Sequence, residues 1–112
     1  MANVDITYSW RGEFTNEALN QLHAEGFRHD EALIGFVNVA WDGALHAFIL
    51  DTLVTDRYRH RRVATEMLKI CVKEARDARC EWLHVDFDDY LRAFYFDRCG
   101  FEKTNAGLIK LA

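Results

Sequence analysis

The sequence has no proline, only six glycines and only three cysteines. Without proline, turns and helix ends fall to glycine and to short polar side chains. Cys71, Cys80 and Cys99 are odd in number and show no CxxC spacing, which excludes a disulfide framework and a cysteine zinc site. They read as reduced thiols of a cytoplasmic protein. No apolar run approaches the roughly 18 residues of a membrane span, because Asp, Asn or His interrupts the longest ones. The start, Met1 to Asp5, lacks the basic residues and apolar run of a signal peptide. Charge is mildly acidic, a net −4, which argues against a dedicated nucleic-acid binder. The five histidines show no ligand spacing with Asp, Glu or Cys, so no metal is expected.

What is present suffices for a core. Half of the 112 residues are hydrophobic and 13% are aromatic, enough for one domain over residues 1–112. Residues 5–10 alternate apolar and polar, the pattern of a half-buried strand. Thr15 or Asn16 then caps a short helix with Leu19, Leu22 and His23 on one face and Gly26 as its stop. Residues 32–41 read as a strand, Asp42-Gly43 as a hairpin turn, and residues 45–55 as the returning antiparallel strand.

Ala64, Met67, Leu68, Cys71, Val72, Ala75 and Ala78 then recur with the helical period, predicting a helix of about four turns. A strand follows over residues 81–88, with Leu83, Val85 and Phe87 on one face and Trp82, His84 and Asp86 on the other. A strand, a helix and a strand make a βαβ unit, so these two strands are expected to be parallel. Asp88 or Asp89 caps a second short helix that Gly100 ends, and residues 102–111 read as a last strand interrupted by Asn105-Ala106-Gly107. The class is α/β (α+β), a mixed central sheet with helices on its faces.

Four arginines, Arg57, Arg59, Arg61 and Arg62, fall in the turn between a strand and the long helix. A helix N-terminus offers unpaired N–H groups and the positive end of the macrodipole, which suits a diphosphate, and arginines add charge-assisted contacts. The same cluster also reads as a solvated basic loop or as a nucleic-acid patch.

Leu53-Val54 followed by Arg59-His60-Arg61-Arg62-Val63-Ala64 at a helix start resembles the acetyl-CoA motif of the GNAT superfamily of N-acetyltransferases, Gln/Arg-x-x-Gly-x-Gly/Ala. Phe94-Tyr95-Phe96-Asp97-Arg98-Cys99-Gly100-Phe101 is similar to that family's aromatic helix ending in Gly-Phe. The resemblance implies that backbone amides of His60 to Thr65 hold the pyrophosphate of acetyl-CoA. It implies that Leu53 and Val54 pair with the pantetheine arm, and that Asp89 stands where an Asn often contacts it. The two central strands are then expected to separate at that level. The reaction implied is transfer of acetyl to an amine, with a base or water chain to deprotonate the amine and an acid for the thiolate.

Three departures from the family pattern stand out. Arg62 replaces the first motif glycine, and a helical φ there is expected to let cofactor binding survive. Phe96 occupies the place of the acid tyrosine, with Tyr95 one residue earlier, about 100° around an α-helix. Tyr95 serves as the acid if the helix is locally distorted; otherwise it is a core aromatic and the thiolate leaves unaided. Only residues 27–31 stand where the family carries a further helix and strand, which leaves a sheet edge open and favours a homodimer.

Asp51, Asp86 and Asp88 lie at strand ends as candidate bases, or as solvated and capping carboxylates. His84 is a candidate base or a hydrogen-bonded residue of the sheet face, and His46 and His23 read as structural. Cys99 reads as a small buried residue. The expected function is acetyl transfer from acetyl-CoA to a small-molecule or peptide amine, without nucleic acid or membrane. The alternative is a non-catalytic acyl-CoA-binding or protein-interaction module.

Overall fold

The computed structural model describes Ile6, residues 8–10, residues 34–55, Tyr58 and residues 62–112. Strand β1 (Gly35–Trp41) turns into strand β2 (His46–Val54), which is followed by helix α1 (Val63–Asp77) and strand β3 (Trp82–Val85). A 3₁₀ turn (Asp89–Leu91) and a π-helix (Ala93–Arg98) come next. The sheet order is β1-β2-β3, antiparallel between β1 and β2 and parallel between β2 and β3. The mixed sheet and its βαβ unit are those expected.

The hairpin closes because Asp42 acts as a local acceptor. Its Oδ1 takes the N–H of Ala44 at 2.7 Å and of His46 at 3.2 Å, while Gly43 supplies φ +81°. The Ala44 bond, aided by that of His46, holds the Asp42 carboxyl below its ordinary range against a smaller opposing effect of burial.

Helix α1 buries Val63, Met67, Leu68 and Cys71 along one stripe, as its period requires. It ends in a Schellman arrangement, with Cys80 N–H on Ala75 O and Arg79 N–H on Arg76 O, each at 2.9 Å. The left-handed position that this motif requires is taken by Arg79 at φ +66°, where glycine is usual.

Ile49 of β2, Leu68 of α1 and Tyr95 of the π-helix meet in one buried cluster, ringed by Val37, Val39, Leu83, Val85 and Phe87. On the other face of the sheet His46 Nδ1 and His84 Nε2 share a hydrogen bond of 2.8 Å, and the His84 ring stacks on Phe48 at 4.5 Å. His84 is thus hydrogen-bonded on the sheet face. Among the described residues no helix is long and apolar enough to cross a membrane, and no three His, Cys, Asp or Glu side chains converge on a metal position.

Four expectations change. Residues 102–111 are not a strand: the segment lies on the surface with Leu108, Ile109 and Leu111 more than four-fifths exposed, and no described strand offers it a ladder. Ile6 and residues 8–10 are likewise unpaired into any strand, and the rest of that segment lies outside the described residues, as do the first helix and residues 27–31. β3 stops at Val85, short of Asp88. Asp88 precedes the 3₁₀ turn and bonds Leu91 N–H through its carbonyl at 2.9 Å, with no side-chain cap.

Gly35 is where sheet and helix come closest. A Cβ there would lie 3.1 Å from Met67 Sδ and 3.2 Å from Val63 Cγ1. Gly35→Val is therefore expected to cost about 1–3 kcal/mol by overpacking, read as a lower urea midpoint with an unchanged slope.

Candidate active site

The central feature is where β2 parts from β3. Their parallel pairing runs from His46↔Trp82 to Ile49↔Val85 and stops there, while β2 continues to Val54 against β1. At the same level the β1–β2 register slips. Asn38 faces Asp51 but Val39 faces Ile49, so Leu50 is an extra residue on β2. Such a bulge bends and twists the strand that carries it, which turns β2 out of line with β3. Leu53 and Val54, the residues expected beside a pantetheine arm, lie on the stretch that no longer pairs with β3.

The chain then reaches the head of α1. Arg62 is the N-cap, at φ 60°, ψ 21°, and makes no side-chain cap bond. This corrects the expectation of a helical φ. The residue sits outside the helix, where the incoming chain must turn, and it adopts the left-handed backbone that the family's glycine would take freely. Glu66 N–H is the first to bond within the helix, to Arg62 O at 3.0 Å. The helix itself therefore provides no acceptor for the N–H groups of Val63, Ala64 and Thr65. The one acidic residue of the first turn, Glu66, is paired to Lys69 at 3.2 Å, which offsets its charge toward an anion at the helix head. Arg59, His60 and Arg61, expected in the same turn, lie outside the described residues.

The third part is Tyr95. Residues Ala93–Arg98 form a π-helix, in which Cys99 N–H bonds Phe94 O at 3.0 Å, five residues back. The wider turn adds a residue to the usual register, the local distortion on which the acid role of Tyr95 was made conditional. Its side chain is 4% exposed and its ring stacks on Phe87 at 4.7 Å, with Phe94 and Phe101 edge-on. Its hydroxyl donates to Thr52 Oγ1 at 3.3 Å, on the part of β2 beyond the bulge. Burial pushes the phenol above its ordinary range, and the Thr52 bond opposes that shift.

Phe96 instead meets Phe87 edge-on at 5.3 Å and lies under the Arg92 guanidinium. Asp89 is paired on the surface: its Oδ1 accepts from Arg92 Nε at 3.2 Å and Nη2 at 3.1 Å. An open groove of about 410 Å³, lined by Arg92, Ala93, Phe96, Asp97, Phe101 and Lys103, shares no residue with Tyr95 and Thr52. Asp51, Asp86 and Asp88 are exposed. Thr52 went unnoticed in the sequence; its one signal is that it shares a strand face with Val54, two residues on.

The model of the acetyltransferase (GNAT) family matches residues 4–101. The chain belongs to this family. Among solved structures it is similar to a protein of Deinococcus radiodurans R1 assigned as an acetyltransferase, at 29% identity and TM-score 0.65, over 73% of this chain and 55% of that one. It is similar in fold to the glucosamine-6-phosphate N-acetyltransferase of Arabidopsis thaliana, at 12% identity and TM-score 0.61, over 85% and 74% of the two chains. A third likeness is to AAC(6')-Iy, solved with the bisubstrate analogue CoA-S-monomethyl-acetylneamine, at 18% identity and TM-score 0.59, over 76% and 65%. The chain thus spans little more than half the length of the Deinococcus protein. No curated protein matches the sequence.

Within this GNAT chain the position of Arg62 yields a test. A left-handed non-glycine residue costs about 1–2 kcal/mol, part of which glycine regains at the expense of unfolded-state entropy. Arg62→Gly is expected to raise the thermal midpoint by a few degrees; a lower midpoint would show that the Arg62 side chain itself holds the turn.

Proposed function

We propose that the protein transfers acetyl from acetyl-CoA to an amine. The observation that carries this reading is the coincidence of three features at one level of the sheet: the end of β2–β3 pairing, the bulge at Leu50, and a buried tyrosine hydroxyl on Thr52. The head of α1 follows on the same chain within reach of the β2 terminus.

The residues present fit acetyl-CoA. The N–H groups of Val63, Ala64 and Thr65 point out of the helix head toward the positive end of its dipole, where a diphosphate is favoured. Arg57, Arg59, Arg61 and Arg62, which precede this helix in the sequence, are the cations available to such a group. The backbone of Leu53 and Val54 supports an amide-bearing arm as a further strand would. Bound acetyl-CoA supplies the activated acetyl group.

The chain's own part is proton handling and orientation. Tyr95 holds its proton on Oη, kept neutral by burial, and can give it to the departing sulfur. Backbone N–H groups at the bulge supply donors for the developing oxyanion. Asp51 and Asp86, exposed just past the end of the pairing, are placed to relay the proton of an amine arriving from solvent. The acceptor is an amine of a small molecule or peptide; glucosamine 6-phosphate and aminoglycosides are rational first probes because similar folds carry those names.

Release of the CoA thiol from acetyl-CoA, measured with an amine panel, tests the reading. Tyr95→Phe is expected to lower turnover by about 10²-fold while leaving acetyl-CoA affinity and the melting curve close to the parent. Saturable binding with no turnover on any amine would favour the non-catalytic acyl-CoA-binding alternative.

A further inference from the structure

The Tyr95 ring is fixed by apolar groups on its faces and edges: Phe87 stacked at 4.7 Å, with Phe94 at 4.9 Å and Phe101 at 5.8 Å edge-on. None of these can orient its hydroxyl. The polar group that meets Oη is Thr52 Oγ1, at 3.3 Å. Thr52 is itself half-buried and stands on β2 opposite Val37, past the bulge and past the last pairing with β3.

We propose that Thr52 is the positioning residue for Tyr95, accepting its hydrogen bond at rest and donating one back to the phenolate once the proton has left. This rests on the reading of Tyr95 as the acid. A threonine hydroxyl can play both parts because it has two acceptor lone pairs and one rotatable donor. In the step concerned the Tyr95 O–H bond breaks and its electron pair stays on Oη. The proton goes to the sulfur released as the amide bond forms, and solvent later returns a proton to Oη.

A buried phenolate without a donor is costly, so the returning hydrogen bond lowers the barrier only when charge has developed. Among the described residues, the other ionisable groups that act on the phenol are Cys99, Cys71 and Tyr90, and burial holds both thiols up, Cys71 to about 11. Among these described groups none is a cation, and Thr52 is the hydrogen-bonding group placed to stabilise the phenolate.

The test uses the full chain with Thr52→Val, Thr52→Ser, Tyr95→Phe and the Thr52→Val/Tyr95→Phe double variant. Tyrosine labelled with ¹³C at Cζ gives a Tyr95 signal, assigned by its loss in Tyr95→Phe. That signal is expected to move in Thr52→Val at neutral pH and to return toward the parent position in Thr52→Ser. Thiol release from acetyl-CoA with water as the acceptor is expected to fall about 3- to 10-fold in Thr52→Val, the range of one ordinary hydrogen bond. KM for acetyl-CoA should be unchanged, Thr52→Ser should restore the rate, and Thr52→Val should add nothing in the Tyr95→Phe background. The alkaline limb of the rate should move to higher pH in Thr52→Val, because the phenol gives up its proton less readily.

An unmoved Cζ signal, or equal slowing by Thr52→Val with and without Tyr95, overturns the assignment of Thr52. A Tyr95→Phe variant as fast as the parent overturns the acid reading, and this proposal with it. Slowing by Tyr95→Phe but not by Thr52→Val removes Thr52 alone.

Discussion

β2 is paired to β1 from Ala47 to Val54, around the extra residue Leu50, but to β3 only as far as Ile49. The extra residue Leu50 lies at that border, where a bulge bends and twists the strand that carries it and turns β2 out of line with β3. On the paired half, Ala47 and Ile49 are buried and anchor the core. On the other half the backbone of β2 is released from β3, and the same strand delivers Thr52 to the Tyr95 hydroxyl. One strand thus does two jobs, and the bulge is the border between them.

Two irregular stretches of backbone flank the elements that follow β2 and β3. Arg62 is left-handed at the head of α1, and the helix that follows β3 is wound as a π-helix. Each costs something relative to a regular element, and each is held by packing close by. Val63 is 1% exposed directly after Arg62, and Tyr95 is locked between aromatic rings within its π turn. Arg79 is the exception, a left-handed residue away from the cleft that serves only to close α1. The family's glycine at the position of Arg62 would give the same turn without strain, so the fold has kept the geometry while the residue changed.

The parts of the fold readable in the sequence were those set by local periodicity and turn chemistry. The apolar stripe from Ala64 to Ala78 gave α1 nearly to its ends, and Asp42-Gly43 marked the hairpin that the Asp42 carboxylate closes. The reading of residues 102–111 as a strand misled because local sequence cannot say whether a ladder partner exists. Backbone handedness at Arg62 was hidden because arginine carries no preference for a positive φ. The π turn was foreseeable only as a condition, from the one-residue offset of Tyr95 against the family's pattern; Thr52 had no motif of its own and emerged from the packing of two distant segments.

The proposed acyl-CoA site joins the released stretch of β2 to the head of α1. Titration of the ¹⁵N-labelled chain with CoA, followed amide by amide, tests it most directly. Saturable shifts centred on Leu53, Val54, Val63, Ala64 and Thr65 are expected. Shifts confined to the groove around Arg92 and Lys103, or no shifts at millimolar CoA, would contradict it.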